Sequence, residues 1–116
     1  MLTKEQILAA PDLKRETVAV PEWGGDVLVT ELSAAELGAY LERCFDESGK
    51  VRLRGVAHEC ALAAATMVDE AGHRLFSDEE MAALAAKSPK ALRRVADVAG
   101  RLNFLTEDAR AVAEKN

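Results

Sequence analysis

The sequence predicts an α+β fold that is mostly α, in which an N-terminal two-stranded β-hairpin packs on a bundle of about five or six helices. Two observations predict it. Valine recurs at every second position on both sides of Gly24 and Gly25, and these glycines can take the positive φ that tight turns require. Beyond the hairpin, apolar residues recur at intervals of three and four after cap residues, which is typical of amphipathic helices.

A short helix and the hairpin occupy residues 1–32. Thr3 is placed to cap a helix over residues 4–9, and Pro11 would end it. The two strands are predicted over residues 16–21 and 26–32, where the valines alternate with their neighbours.

The remainder of the chain, residues 33–116, is predicted to be a helical bundle within a single domain of residues 1–116. Ser33 precedes Glu36 at capping-box spacing, so a helix is expected to begin there. Residues at helical spacing form its apolar face: Leu37, Tyr40, Leu41, Cys44 and Phe45. A polar loop over residues 46–50 follows this helix.

A helix over residues 53–68 is apolar on almost every side, which predicts a central and deeply buried helix. The segment at residues 66–76 has Gly72 between two apolar pairs. We expect a tight turn there, with a small second hairpin as the alternative. Cap residues and apolar spacing predict three further helices, over residues 78–86, 89–103 and 107–114.

The bulk composition disfavours several classes of function. The formal net charge is −5, whereas nucleic-acid binding normally needs a positive surface. Aromatic residues are 4% of the chain, which disfavours a small-molecule pocket. No apolar run reaches the roughly 18 residues of a membrane span. Cys44 and Cys60 fall in apolar helical patterns and are expected to be reduced, packed side chains.

The sequence has no recognisable catalytic or metal-binding motif. His58 and Cys60 lie two apart on a helix and so point to different faces. A calcium-loop alignment that places Gly72 at its sixth position puts Met67 at the first ligand position, where a carboxylate is needed. The glycine pair of the hairpin is not a phosphate-binding loop. We therefore expect no enzyme activity, no cofactor and no bound metal.

Several residues are candidates for a partner interface. Lys90, Arg94 and Arg101 fall near one face of a predicted helix, which is either a solvated face or a site for an acidic partner. Trp23 beside the turn either packs over the hairpin and adjoining helices or contributes to an interaction surface.

Self-association is expected to be weak. The three basic residues and an acidic cluster, Asp78, Glu79 and Glu80, would form exposed, salt-sensitive ion pairs between copies. An oligomer that resists salt would instead indicate an apolar interface, for which Trp23, Phe104 and Leu105 are the candidates.

Five segments occur in order along nearly the whole chain: EQILAAPDLK, VPEWGG, ELSAAE, MVDEAGHRLFSDEEMAAL and RLNFLTED. As an ordered set they resemble the tail assembly chaperones of long-tailed bacteriophages and prophages. Each segment alone is a common strand, turn or cap. Their order and spacing carry the resemblance.

The resemblance implies a non-enzymatic assembly factor that coats the tape measure protein, keeps it soluble and helps to recruit tail tube subunits. It also implies a longer, frameshifted form that contacts the tail tube protein. Such a factor acts in the cytoplasm of the bacterial host and is absent from the mature virion.

Two other classes remain open from the residues themselves. One is a small cytosolic regulator or adaptor with a helix-turn-helix, which the number of helical segments would allow. The net charge and the lack of a basic recognition helix disfavour it. The other is a structural tail or connector protein of the virion.

Overall fold

The computed structural model describes residues 1–103 of the 116-residue chain. Its elements in chain order are α1 (Lys4–Ala9), β1 (Arg15–Val20), β2 (Gly25–Thr30), α2 (Ala34–Cys44), α3 (Gly55–Thr66), β3 (Met67–Val68), α4 (Met81–Ala85) and α5 (Pro89–Leu102). Two 3₁₀ turns, Pro21–Trp23 and Asp78–Glu80, precede β2 and α4. The predicted fold class, α+β and mostly α, is confirmed. The helix predicted over residues 107–114 lies outside the described residues.

β1 and β2 form the predicted antiparallel hairpin, in which Val18 lies opposite Val27. Val18, Val20 and Val29 are buried, as the alternation of the strands requires. Gly24 ends the 3₁₀ turn with a φ of +75°. Gly25 already belongs to β2 and has no positive φ, so only Gly24 supplies the positive φ of the turn.

The sheet has three strands, and the predicted two-stranded sheet is therefore incomplete. β3 pairs with β2 through Leu28–Val68 and Val29–Met67. The turn expected near Gly72 is present, because Gly72 has a φ of +91°. The hairpin alternative is also realised as one bridge, between Val68 and Arg74. A strand of two residues is too short to produce an alternation that sequence analysis can detect.

α3 is the centre of the fold. Every residue from Cys60 to Thr66 is buried, as the apolar pattern predicts. α3 packs against α5 and α4, and α5 packs in turn against the sheet. The helix is shorter than predicted, since Met67 and Val68 leave it to enter β3. One hydrophobic core therefore contains residues of the sheet and of the helices.

The predicted helix starts are largely confirmed. Thr3, Ser33 and Ser77 each form a capping box with the residue three positions later. The helix predicted over residues 78–86 begins as a 3₁₀ turn and becomes α-helical at Met81.

At the other end of the chain described, Asn103 is buried after α5. Its Oδ1 accepts from the Leu32 amide at 2.8 Å, and its Nδ2 donates to the Ala99 carbonyl at 2.9 Å. Asn103 thus ties the end of α5 to the segment between β2 and α2.

Candidate functional site

An apolar groove of about 380 Å³ lies between the C-terminal end of α2 and the N-terminal end of α3. We call it the α2–α3 groove. Residues of both helices and of the loop between them line it: Tyr40, Leu41, Cys44, Phe45, Val51, Leu53, Arg54, Gly55 and His58.

The predicted apolar stripe of α2 has more members than the hydrophobic core buries. Tyr40 and Cys44 point into the core and are buried. Leu41 and Phe45, the adjacent members of the predicted stripe, are 38% and 40% exposed. A helix buries roughly a 100° face, so extra apolar positions on its edge remain accessible to another molecule.

The loop after α2 folds back to form the second wall of the groove. Phe45 and Val51 form an antiparallel bridge, and the Arg52 amide donates to the Cys44 carbonyl at 2.7 Å. Asp46 fixes this turn, because its Oδ1 accepts from the backbone amides of Ser48 and Lys50 and from the Ser48 hydroxyl, at 2.7–2.9 Å. These hydrogen bonds, the Ser48 hydroxyl first, lower the pKa of Asp46.

A hydrogen bond joins the Tyr40 hydroxyl to His58 Nε2 at the groove, and the two rings are 5.9 Å apart at a 41° tilt. Burial raises the pKa of Tyr40 and lowers the pKa of His58. Burial therefore favours the neutral form of the His58 imidazole. A tyrosine and a neutral histidine that bond to each other supply two polar groups at an apolar surface.

The described part of the chain, residues 1–103, contains no group of three or more His, Cys, Asp or Glu side chains that is placed to hold a metal ion. Cys44 and Cys60 are both buried and free. Burial raises the pKa of the Cys60 thiol, which disfavours the reactive thiolate. Across the same residues, no helix is long and apolar enough to cross a bilayer.

The predicted basic face of α5 lies against the hairpin of its own chain. Arg94 Nε contacts both carboxylate oxygens of Glu22, at 3.1 and 3.2 Å. Arg101 pairs with Glu16 at 3.6 Å. The pKa of Glu22 is lowered, first by a backbone hydrogen bond and then by Arg94 and Lys90. These three cations are exposed and remain candidates for an interface, but internal carboxylates already compete for two of them.

One member of the acidic cluster, Asp78, is likewise paired within the chain. Asp78 Oδ1 accepts from Arg43 at 2.5 Å and from Arg74 at 2.9 Å. A charge-driven contact between copies would therefore have to compete with ion pairs that already exist.

Trp23 is half-buried and packs against the core. Its indole Nε1 is buried and has no hydrogen-bond partner among residues 1–103. The other candidates for an apolar interface, Phe104 and Leu105, lie outside the described residues. Sequence analysis missed the groove itself. Its only signal was an α2 stripe of five apolar residues, and no rule applied to one sequence shows which of them the core leaves uncovered.

Comparison with known proteins gives one family match. The family model described as phage tail assembly chaperone matches residues 3–115. Among solved structures, the tail assembly chaperone of bacteriophage HK97 is similar, with 22% sequence identity and a TM-score of 0.48. The match covers 80% of this chain and 94% of the HK97 chain. No curated protein sequence matches significantly.

Proposed function

Because this chain belongs to the phage tail assembly chaperone family, we propose that it binds the tape measure protein of a long-tailed phage and keeps that protein soluble during tail assembly. It does so as a binding protein, without catalysis. The observation that carries this proposal is the α2–α3 groove, an apolar surface that residues 1–103 leave accessible.

The groove suits a helical, partly apolar client. Leu41 and Phe45 on one side and Val51 and Leu53 on the other offer apolar contacts. This arrangement fits recognition in which an amphipathic helix lays its apolar face into a groove. Arg54 at the groove favours a client helix that carries carboxylates beside its apolar stripe.

We expect binding to a single groove to be weak, because small interfaces are typically transient. A long client offers many such segments, so many copies bind along it. Weak individual contacts are useful here, since the copies must leave when the tail tube replaces them.

Further contacts are part of the same proposal. Trp23, Lys90, Arg94 and Arg101 form a second surface on the hairpin and α5, on which an acidic segment of client or tail protein would displace Glu22 and Glu16. From the sequence, Phe104 and Leu105 are proposed as further apolar contact residues for the same partner. A longer, frameshifted form would recruit the tail tube protein.

Co-expression tests the client. With the wild-type chain, a larger fraction of the tape measure protein should remain soluble than without it. Phe45→Asp should abolish that gain, because it places a charge in the apolar groove. Leu75→Asp is the matched control, since Leu75 is also a partly exposed apolar residue but does not line the groove. A client that is equally soluble with and without the chain would contradict the proposal.

The place of action is tested separately. We expect the protein in the host cytoplasm during assembly and not in the finished particle. Quantitative mass spectrometry of purified virions and of lysates from infected cells should find it in the lysates alone. Stoichiometric amounts in purified virions would support the alternative, a structural tail or connector protein.

A further inference from the structure

The two outer strands of the sheet differ in how their free edges are covered. The chain after β3 turns back along the outer side of that strand, where the Leu75 amide donates to the Met67 carbonyl at 3.0 Å. Val68 and Arg74 form a further bridge there. β1 is the opposite edge of the sheet, and within residues 1–103 no strand pairs with its outer side. β1 is therefore an open edge in the described part of the chain.

The hydrogen-bond alternation of the hairpin shows which backbone groups of this edge are free. The Glu31 amide donates to the Lys14 carbonyl at 2.7 Å, just outside the paired strands. Bonded and non-bonded positions alternate in an antiparallel pair, so the even-numbered residues of β1 bond to β2. The N–H and C=O groups of the odd-numbered residues point outward instead. These residues are exposed, and no other backbone group within residues 1–103 bonds to them: Arg15, Thr17 and Ala19.

β1 has few of the features that stop an edge strand from pairing, such as a proline, a bulge or a covering loop. Its register with β2 is continuous over all six residues, and Pro21 follows the strand. Charged residues occur only at its start, at Arg15 and Glu16. Six extended residues span about 20 Å. Each outward residue along this length offers one backbone donor and one acceptor to an incoming strand.

α5 packs over β1 and limits what an incoming strand can carry on that face. Arg94 contacts Glu22, directly after β1, at 3.1 Å. Arg101 contacts Glu16 in β1 at 3.6 Å. Val98 is half-buried between these two arginines on the same flank of the helix. An apolar side chain beside Val98 leaves both ion pairs in place, whereas a charged side chain would have to displace a partner.

We propose that β1 accepts an extended segment of another protein as a fourth, antiparallel strand of the sheet. Backbone hydrogen bonds to Arg15, Thr17 and Ala19 supply the affinity, as is usual in strand addition. The segment carries an apolar side chain at every second position, facing α5 beside Val98. The positions between them carry uncharged polar side chains that face solvent beside Thr17 and Ala19, because those two residues are exposed.

A second copy of this chain is a poorer occupant than a separate extended segment. Two β1 strands paired edge to edge would bring two α5 helices together on one face of the sheet, with the ion pairs of Arg94 and Arg101 between them. Burying ion pairs costs desolvation energy. A lone strand carries no helix and leaves these pairs hydrated.

This contact is separate from the client contact proposed above. It needs an extended partner and uses the backbone edge of β1, whereas the α2–α3 groove takes a helix. Because the added strand leaves the ion pairs of Arg94 and Arg101 intact, it does not use those cations either. Its failure would leave the client proposal unchanged, and failure of the client proposal would leave this contact unchanged.

Hydrogen exchange of single amides, followed by NMR, tests the edge with a defined probe. The probe is a short blocked peptide in which valine and threonine alternate, with a lysine at each end for solubility. With the probe at about ten times its Kd, the outward amides of Arg15, Thr17 and Ala19 should exchange about tenfold more slowly. The amides of Glu16 and Val18 are internal controls, because they already bond to β2.

Two methylated forms of the probe test the geometry of the contact. In the proposed orientation the threonine amides face β1 and the valine amides face away. N-methylation of the threonine amides should therefore abolish the protection, and N-methylation of the valine amides should preserve it. The two forms have the same side chains and the same charge.

A matched pair of variants tests the same contact from the side of the protein. Thr17→Pro removes one outward donor and should weaken binding of the probe about tenfold or more. Thr17→Val keeps the donor and should bind like the wild type. Proline is tolerated where the missing N–H faces away from the sheet, so both variants should fold, which circular dichroism checks.

Four results would overturn the proposal. The first is unchanged exchange of the outward amides at millimolar probe. The second is equal protection by the two methylated probes, or wild-type binding by folded Thr17→Pro. The third is slow exchange of these amides in the free protein at every concentration, which would show that residues 104–116 cover the edge. The fourth is protection that appears without probe as the protein is concentrated, which would assign the edge to a second copy.

Discussion

α3 and α1 are both helices with large apolar content, yet their surroundings are opposite. α3 has a continuous run of seven buried residues, Cys60–Thr66, and packs against α5, α4 and α2. α1 has no buried residue at all. The α2–α3 groove stands between these extremes, because α2 buries Tyr40 and Cys44 but leaves Leu41 and Phe45 partly exposed.

The difference shows that an apolar pattern predicts which face of a helix favours burial but not which element or molecule packs against it. In α3 other elements of the same chain provide the cover. In α1 and at the groove, the described chain provides little or none. Substitutions of equal chemistry should therefore have very different effects on folding in the two regions, and the uncovered region should respond in binding instead.

The largest contrast is expected between Met67→Asp and Leu8→Asp. Met67 is fully buried in β3, so the substitution buries an unpaired charge and should lower the free energy of unfolding by at least about 4 kcal/mol. Leu8 is exposed, so Leu8→Asp should change the free energy of unfolding by no more than about 0.5 kcal/mol. Urea denaturation at low protein concentration measures both, and similar losses would break the comparison.

A smaller effect is expected at the buried polar link of Asn103. Asn103→Ala leaves the Leu32 amide without its acceptor and should cost about 1–3 kcal/mol of unfolding free energy. Ser48→Ala is the control, because Ser48 also makes a side-chain hydrogen bond but lies in an exposed loop. Its cost should stay near 0.5 kcal/mol. Equal costs for the two variants would show that burial does not decide the value of the Asn103 contacts.

The two glycines of the hairpin give a contrast within one turn. Gly24 has a φ of +75°, so Gly24→Ala should destabilise the protein by about 1 kcal/mol. Gly25 lies in β2 without a positive φ, and an added Cβ would meet no atom within 4 Å. Gly25→Ala should therefore change stability by less than about 0.5 kcal/mol. Thermal melts of the two variants measure the difference, and the reverse order would be inconsistent with the turn described.

Local rules predicted much of this fold from the sequence. The caps at Thr3, Ser33 and Ser77 and the valine alternation of the hairpin depend on residues within a few positions of each other, and the structure agrees with them. β3 was missed because its pairing with β2 joins residues about 40 positions apart through two residues only. The ion pair of Arg94 with Glu22 was missed for the same reason, since it joins α5 to the hairpin.

The candidate site was less predictable than the fold. Sequence analysis assigns Leu41 and Phe45 to the apolar face of α2. Leu41 lies on α2, whereas Phe45 is the extended residue that ends the helix. Nothing local distinguishes Leu41 from the buried Tyr40 and Cys44. Which residues of a stripe remain uncovered depends on how α3 and the Asp46 loop pack, and that is a property of the whole fold. The basic residues of α5 show the converse, because the sequence predicts either a solvated face or a site for an acidic partner and does not show the internal partners Glu22 and Glu16.

The smallest effect on stability is expected at His58. Its response to pH shows whether the Tyr40–His58 pair belongs to the buried core or to the exposed groove. Burial lowers the pKa of His58 in the folded state, and the nearby Glu59 opposes this shift. The unfolded chain has the ordinary pKa of about 6.5. Below that pH, His58 binds a proton more readily in the unfolded state than in the folded state. The contribution of His58 to the free energy of unfolding is therefore complete above about pH 6.5 and is lost as the pH falls through the folded pKa.

The check compares the wild type with His58→Gln by urea unfolding between pH 7.5 and 5.5. The variant should lose less stability than the wild type over the lower half of this range. An NMR titration of His58 gives the folded pKa directly. A His58 pKa at or above 6.5 in this titration would contradict the prediction. It would show that the Tyr40–His58 pair is exposed to water and belongs to the groove surface and not to the buried core.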